Sequence, residues 1–122
     1  MNGNKIVADT SVLINFFGGD RTIRNVLEDR HIWVSSITEI ELLCYRELTD
    51  DEDKLIRDFL GECSIVDLIK PVREIAINVR KEHNLKIPDA IIAATSIHLN
   101  FPLFTLDSDF KKIDDFNVIY VE

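Results

Sequence analysis

Five acidic side chains stand where they could do chemistry: Asp9 in IVADTS, Glu41 in SSITEIEL, Asp89 in IPDAIIAAT, and Asp107 with Asp109 in FTLDSDF. Each lies in or beside an apolar stretch, where an unpaired carboxylate is costly to bury. Carboxylates drawn together in such surroundings need a cation between them, and oxygen donors select Mg²⁺ or Mn²⁺. The first expectation is therefore a metal-dependent active site. Each acid also has a plainer reading. Asp9 could cap a helix after a strand, Asp89 could be a favourable acid in a first helical turn, and Asp107 with Asp109 could form an Asx-turn before a helix at Phe110. Glu41 is the hardest to explain that way, because Ile37, Ile40 and Leu43 around it read as core-facing.

The elements that must position these acids follow from periodicity. KIVAD (5–9) reads as a short buried strand, and TSVLINFF continues into a helical turn ended by Gly18 and Gly19. Asp20 caps a helix over RTIRNVLEDR (21–30), with Ile23, Val26 and Leu27 on one face. HIWV (31–34) is the second strand. Ser36 followed by Glu39 fits a capping box, so a helix starts there and carries Glu41 in its second turn. Thr49 with Glu52 repeats that signature for a helix to about Leu60, stopped by Gly61. SIVD (64–67) is the third strand. Pro71 and Pro88 each suit the first position of a further helix, the second closing near Asn100. LFTL (103–106) and NVIYV (117–121) are the fourth and fifth strands.

Strands alternating with helices at this rhythm predict a three-layer α/β/α sandwich around a mainly parallel sheet of about five strands, a single domain over 1–122. Ligands of such sheets bind beyond the carboxyl ends of the strands. Asp9 and Asp107 fall on that edge, Asp89 opens a helix, and Glu41 rides on the helix after the second strand. The fold thus gives acids distant in sequence a reason to meet.

Composition narrows the partners. Twenty-two acids against fourteen bases give a net charge of −8, which opposes broad, nonspecific polyanion binding. Setting the five site acids aside leaves seventeen acids against fourteen bases, so much of the excess is local. No apolar run approaches the roughly 18 residues of a membrane span, and the N-terminus lacks a signal-peptide layout. Cys44 and Cys63 stand outside any CxxC or Cys/His arrangement, which reads as reduced thiols in a cytoplasmic protein.

In order and spacing, IVADTSVLINFF, SSITEIELL, IPDAIIAAT and FTLDSDF resemble four blocks of the PIN-domain ribonucleases, specifically the small VapC-type toxins of toxin–antitoxin pairs. That resemblance implies the PIN-like version of the sandwich and catalytic, metal-holding roles for Asp9, Glu41, Asp89 and Asp107. It makes Asp109 a further metal-site acid and places Ser11 and Thr105 along the site. Ser11 stands where the family often has Asn. The implied activity is a Mg²⁺- or Mn²⁺-dependent endoribonuclease hydrolysing structured RNA, transfer or ribosomal, to 5′-phosphate and 3′-hydroxyl ends. The implied partners are the RNA, a VapB-type antitoxin whose tail blocks the acidic site, and a second copy in a homodimer. No His occurs in the four blocks, which favours water activated by the cation over a histidine base.

Other charged and aromatic residues carry weaker expectations. Arg46, Arg73 and Arg80 are candidates to contact RNA phosphate, with ordinary surface pairing or solvation as the plainer reading. Asp50 to Asp53 reads as a solvated helix start. Phe16, Phe17 and Trp33 read as core or dimer-interface residues, and His31, His83 and His98 as structural or surface ones. Two rival classes frame the test. A phosphorylated receiver domain needs a Lys in the place after the fourth strand, where none stands. A noncatalytic metal- or protein-binding module on the same fold would keep the acids without turnover.

Overall fold

The computed structural model describes residues 4–113 and 117–120. Its elements run β1 (Lys5–Ala8), α1 (Thr10–Phe17), α2 (Arg21–Leu27), β2 (His31–Ser35), α3 (Ser36–Cys44), α4 (Asp50–Gly61) and β3 (Ser64–Val66). Then come α5 (Lys70–His83), α6 (Ile87–Leu99), β4 (Leu103–Thr105), a 3-10 helix (Ser108–Lys112) and β5 (Val118–Tyr120). The strands form one sheet in the order β3-β2-β1-β4-β5. All four pairings are parallel, with Val7 opposite Trp33 on one side and Leu103 on the other.

Period-two alternation sends successive β1 residues to opposite faces, and Ile6, Val7 and Ala8 are all apolar because both faces are covered. Ile6 and Ala8 join Val12, Leu13, Ile23, Leu42, Ile56 and Leu60 in a core under α1 to α4. Val7 joins Val72, Val79, Ala90, Ala93 and Leu103 in a second core under α5 and α6. Helices on both faces make the expected three-layer α/β/α sandwich. The helix α3 belongs to both sides, for Leu42 sits in the first core and Ile37 packs against the second. It therefore touches both α1 and α6.

The strand order also fixes where a site can form. β1 is central, and the chain leaves it toward β2 and later returns on its other side as β4. Connections that diverge from adjacent parallel strands leave a crevice beyond their carboxyl ends. The residues at that crevice are those following Ala8 and Thr105.

Local signals set most element ends. Asp20 caps α2 by accepting from Ile23 N, and Thr49 with Glu52 forms a reciprocal capping box on α4. Asn84 and Asn100 close α5 and α6 in the left-handed conformation, with φ of 54° and 57°. Five expectations shift. The cap of α3 is Ser35, whose Oγ accepts from Ile37 N, because the strand runs into the helix with no linker and its last extended residue serves as cap. Gly61 is the last residue of α4 rather than its stop, and α2 ends at Leu27, with Asp29 left-handed just after. Lys70 and Ile87 precede the two prolines as first helical residues. Ile40, expected in the core, is 56% exposed, since the buried stripe of α3 runs through Thr38 and Leu42. Strand ends agree within a residue or so, and the expected last residue of the fifth strand, Val121, lies outside the described residues.

Candidate active site

Asp9 follows β1 directly and is 4% exposed. Its Oδ1 accepts from Thr10 N at 2.7 Å, and its Oδ2 accepts from Ser11 Oγ at 3.0 Å and Thr105 Oγ1 at 2.6 Å. Asp9 is thus the N-cap of α1, as its plainer reading held, and it is also bonded across to the end of β4. Burial pushes its carboxyl above the ordinary value, the three hydrogen bonds oppose that rise, and the Asp107 charge adds to it.

Thr105 ends β4 and is fully buried. Its hydroxyl donates to Asp9 and accepts from Asp107 N at 3.0 Å, linking the ends of the two central strands. Asp107 then caps the 3-10 helix, its Oδ1 accepting from Asp109 N at 2.9 Å. That turn is the expected Asx geometry, with the helix starting at Ser108 instead of Phe110. Asp109 itself points outward, its carboxylate 3.7 Å from Lys112 Nζ.

Glu41 comes from α3 and reaches α1, its Oε1 accepting from Thr10 Oγ1 at 2.6 Å. Asp89 lies in the first turn of α6, where backbone N–H groups favour an anion. Its carboxyl is nevertheless pushed up to about 6, first by burial and then by the charges of Asp9, Asp107 and Glu41, with Lys86 pulling the other way. Asp89 therefore feels the charges of three acids carried by other parts of the chain.

These residues suit a hard divalent cation in two respects. Their donors are all carboxylate oxygens, and among the described residues no ion pair neutralises any of the four. Convergence is electrostatic rather than a finished cage: among the described residues no three such side chains stand close enough to form a ready metal-binding group. Hydroxyl and amide partners hold Asp9, Glu41 and Asp107 individually.

The arginines are engaged elsewhere. Arg46 pairs with Glu52 and contacts Tyr45, which is the surface ion pair of its plainer reading. Arg73 donates to the Leu68 carbonyl and Arg80 to Asn84 Oδ1. Together with Lys81 they rim an apolar groove between α5 and α6 floored by Ala76, Ala90 and Ile91. A second groove, between α1, α2 and α4, is lined by Phe16, Phe17, Leu55 and Phe59. Two site residues escaped sequence reasoning, Thr10 and Thr38. Thr38 lies three residues before Glu41, the spacing that puts two side chains on one helical face, and this was the available signal.

Comparison with known proteins places the chain in a family. The PIN domain profile matches residues 6–116. The chain belongs to the PIN-domain family. It is 36% identical to Ribonuclease VapC6 of Methanocaldococcus jannaschii over 76 residues, covering 62% of this chain and 48% of that one. The chain thus spans about half the length of that relative. It is 26% identical to Ribonuclease VapC of Rickettsia bellii over 133 residues, covering 95% and 96% of the two chains. Its structure is similar to a chain of a toxin–antitoxin complex from Klebsiella pneumoniae, with a TM-score of 0.81, 29% identity and coverage of 93% and 95%. The fold is also shared with a chain of VapBC2 from Rickettsia felis, with a TM-score of 0.84 at 20% identity and coverage of 97% and 99%.

Proposed function

We propose that this PIN-domain chain is a VapC-type endoribonuclease toxin that hydrolyses phosphodiester bonds of structured RNA, transfer or ribosomal, with Mg²⁺ or Mn²⁺ as cofactor. One observation carries the reading: at the carboxyl edge of β1 and β4, Thr10 bonds both Asp9 and Glu41 while Thr105 bonds Asp9 and the Asp107 amide, so acids distant in sequence are held at one crevice. Four acids that form no ion pair among the described residues invite a cation, and their oxygens match a hard one. Asp9, Glu41, Asp89 and Asp107 would hold it. Such an ion supplies charge relief to the phosphate and lowers the pKa of water.

The chain's own groups do the orienting. Thr105 and Ser11 occupy Asp9 Oδ2, and the Thr10 amide occupies Oδ1, so this carboxylate cannot swing. Asp89, with a pKa about 6, is ionised at neutral pH and takes its proton in mild acid. Asp109 serves as an accessory acid at the rim, available to the site when it leaves Lys112.

Two partner surfaces accompany this reading. The aromatic groove of Phe16, Phe17 and Phe59 suits an apolar segment of a VapB-type antitoxin whose tail would block the acidic site, and toxin–antitoxin complexes are among the structures of this fold. Leu68, Ile69, Ile77 and Ile87 are 42%, 42%, 47% and 64% exposed on or beside α5 and α6, a face suited to a homodimer. Arg73 and Arg80 border that face and lie where RNA phosphate could meet them; Arg46 would first have to leave Glu52.

Purified protein with Mg²⁺ should cleave total RNA to 5′-phosphate ends and stop on addition of EDTA or on Asp9→Asn. Cleavage that survives both changes refutes the metal mechanism. Metal binding without any cleavage selects the noncatalytic module.

A further inference from the structure

We infer that Thr10 is a positioning residue of the acidic site, holding Glu41 through its hydroxyl while its amide holds Asp9. This rests on the nuclease reading above and extends it to a residue outside the acid set. Thr10 Oγ1 lies 2.6 Å from Glu41 Oε1 and 3.0 Å from Thr38 Oγ1. A hydroxyl has one proton to donate and a carboxylate can only accept. The Thr10 proton therefore goes to Glu41, and the Thr38 hydroxyl donates to Thr10. Both threonines are buried, with Thr38 wholly inaccessible.

The arrangement is a relay of orientation running from Thr38 through Thr10 to Glu41. Thr38 and Glu41 lie on one face of α3, so that helix grips the Thr10 oxygen at two points. The amide of the same residue donates to Asp9 Oδ1 at 2.7 Å. Thr10 thus fixes one oxygen on each of two acids carried by different elements. Among the described residues Glu41 Oε2 has no hydrogen-bond partner, which leaves it as the oxygen free for a cation.

Simple helix docking does not call for these hydroxyls. Valine has nearly the same shape and would pack α1 on α3 without desolvating two polar groups. Glu41 is what the hydroxyls serve. Thr105 does the matching task on the other side, between Asp9 and the Asp107 amide. The acids then form a series, Glu41–Thr10–Asp9–Thr105–Asp107, in which each neighbouring pair shares one threonine.

The test compares wild type, Thr10→Ser, Thr10→Val and Thr38→Val as full chains. Mn²⁺ affinity is measured by calorimetry, and the Glu41 carboxyl carbon by NMR in metal-free protein, assigned through Glu41→Gln. Thr10→Val should weaken Mn²⁺ binding about 10- to 100-fold, the usual effect of losing a residue that orients a metal ligand, and should move the Glu41 signal. Its RNA cleavage should fall in kcat more than KM and recover partly at high Mn²⁺. Thr10→Ser should keep the wild-type values, and Thr38→Val should fall between. If Thr10→Val does not fold, Thr10→Ala removes the same hydroxyl and substitutes for it. A Glu41 signal unchanged in the hydroxyl-free variants overturns the inference, as does a loss in Thr10→Ser equal to that in Thr10→Val. Wild type that never cleaves RNA would instead defeat the nuclease reading, while the Glu41 signal still decides the role of Thr10.

Discussion

Neutralising Asp89 should make this protein more stable and less active at once. Its carboxyl titrates at about 6 in the fold against 3.8 for the free group, because burial and three neighbouring acids disfavour its charge. A rise of that size corresponds to about 3 kcal/mol if nothing screens it. Asp89 is only partly buried, so solvent screening reduces the penalty to about 1 kcal/mol. The sign follows from proton linkage. Between pH 3.8 and 6 the folded chain binds more protons than the unfolded one, so stability falls as pH rises through that window. The penalty is absent below it and full above it.

Asp89→Asn keeps the shape and removes the charge. In EDTA at pH 7 it should raise the melting temperature by roughly 3–5 °C, the equivalent of about 1 kcal/mol for a domain of this size. At pH 4 the gain should shrink toward nothing, since wild type is then mostly protonated at this site. Added Mg²⁺ should stabilise wild type and leave the variant almost unmoved, and RNA cleavage should be lost. Thermal unfolding at the two pH values, with and without Mg²⁺, measures all of this. A variant destabilised at pH 7, or a gain of the same size at pH 4, would show that Asp89 is not strained by its neighbours.

Asp9→Asn should reduce cleavage to the level of an EDTA control, as measured by initial rates on a defined RNA. Thr105→Val leaves the Asp107 amide without its acceptor and takes one donor from Asp9. It should cost about 1–3 kcal/mol in urea denaturation and reduce cleavage as well. Thr49→Ala breaks the capping box of α4 and should cost about 1 kcal/mol. Its cleavage rate should match wild type, because the start of α4 carries no site residue.

The sheet was legible because its strands are covered on both faces, so that Ile6, Val7 and Ala8 form an unbroken apolar run. The acids were legible because burial makes a carboxylate conspicuous among apolar neighbours. What could not be read was the direction of hydrogen bonds. Ser35 and Ser36 offer the same chemistry, and only the path of β2 into α3 decides which one caps. Thr10 looked like an ordinary first residue of a helix, since its partner Thr38 is 28 residues away and sequence does not show which faces meet. Ile40 misled for a related reason. Its neighbours are apolar, but the stripe that α3 buries contains Thr38, because the polar site and the core share one face of that helix. Arg46 was settled by Glu52, six residues on and across a loop, a pairing no periodicity predicts.

The bond between Thr105 and Asp9 closes over 96 residues. Chains are made and begin to fold from the N-terminus, so Asp9, Glu41 and Asp89 all emerge before Thr105 and Asp107. Until β4 inserts beside β1, the central strand lacks one neighbour and Asp9 lacks its deepest hydrogen-bond donor. Such long-range pairing is slow compared with forming helices. The acidic site of the proposed toxin would therefore stay incomplete until β4 is made, and a chain stopped short of β4 would lack it.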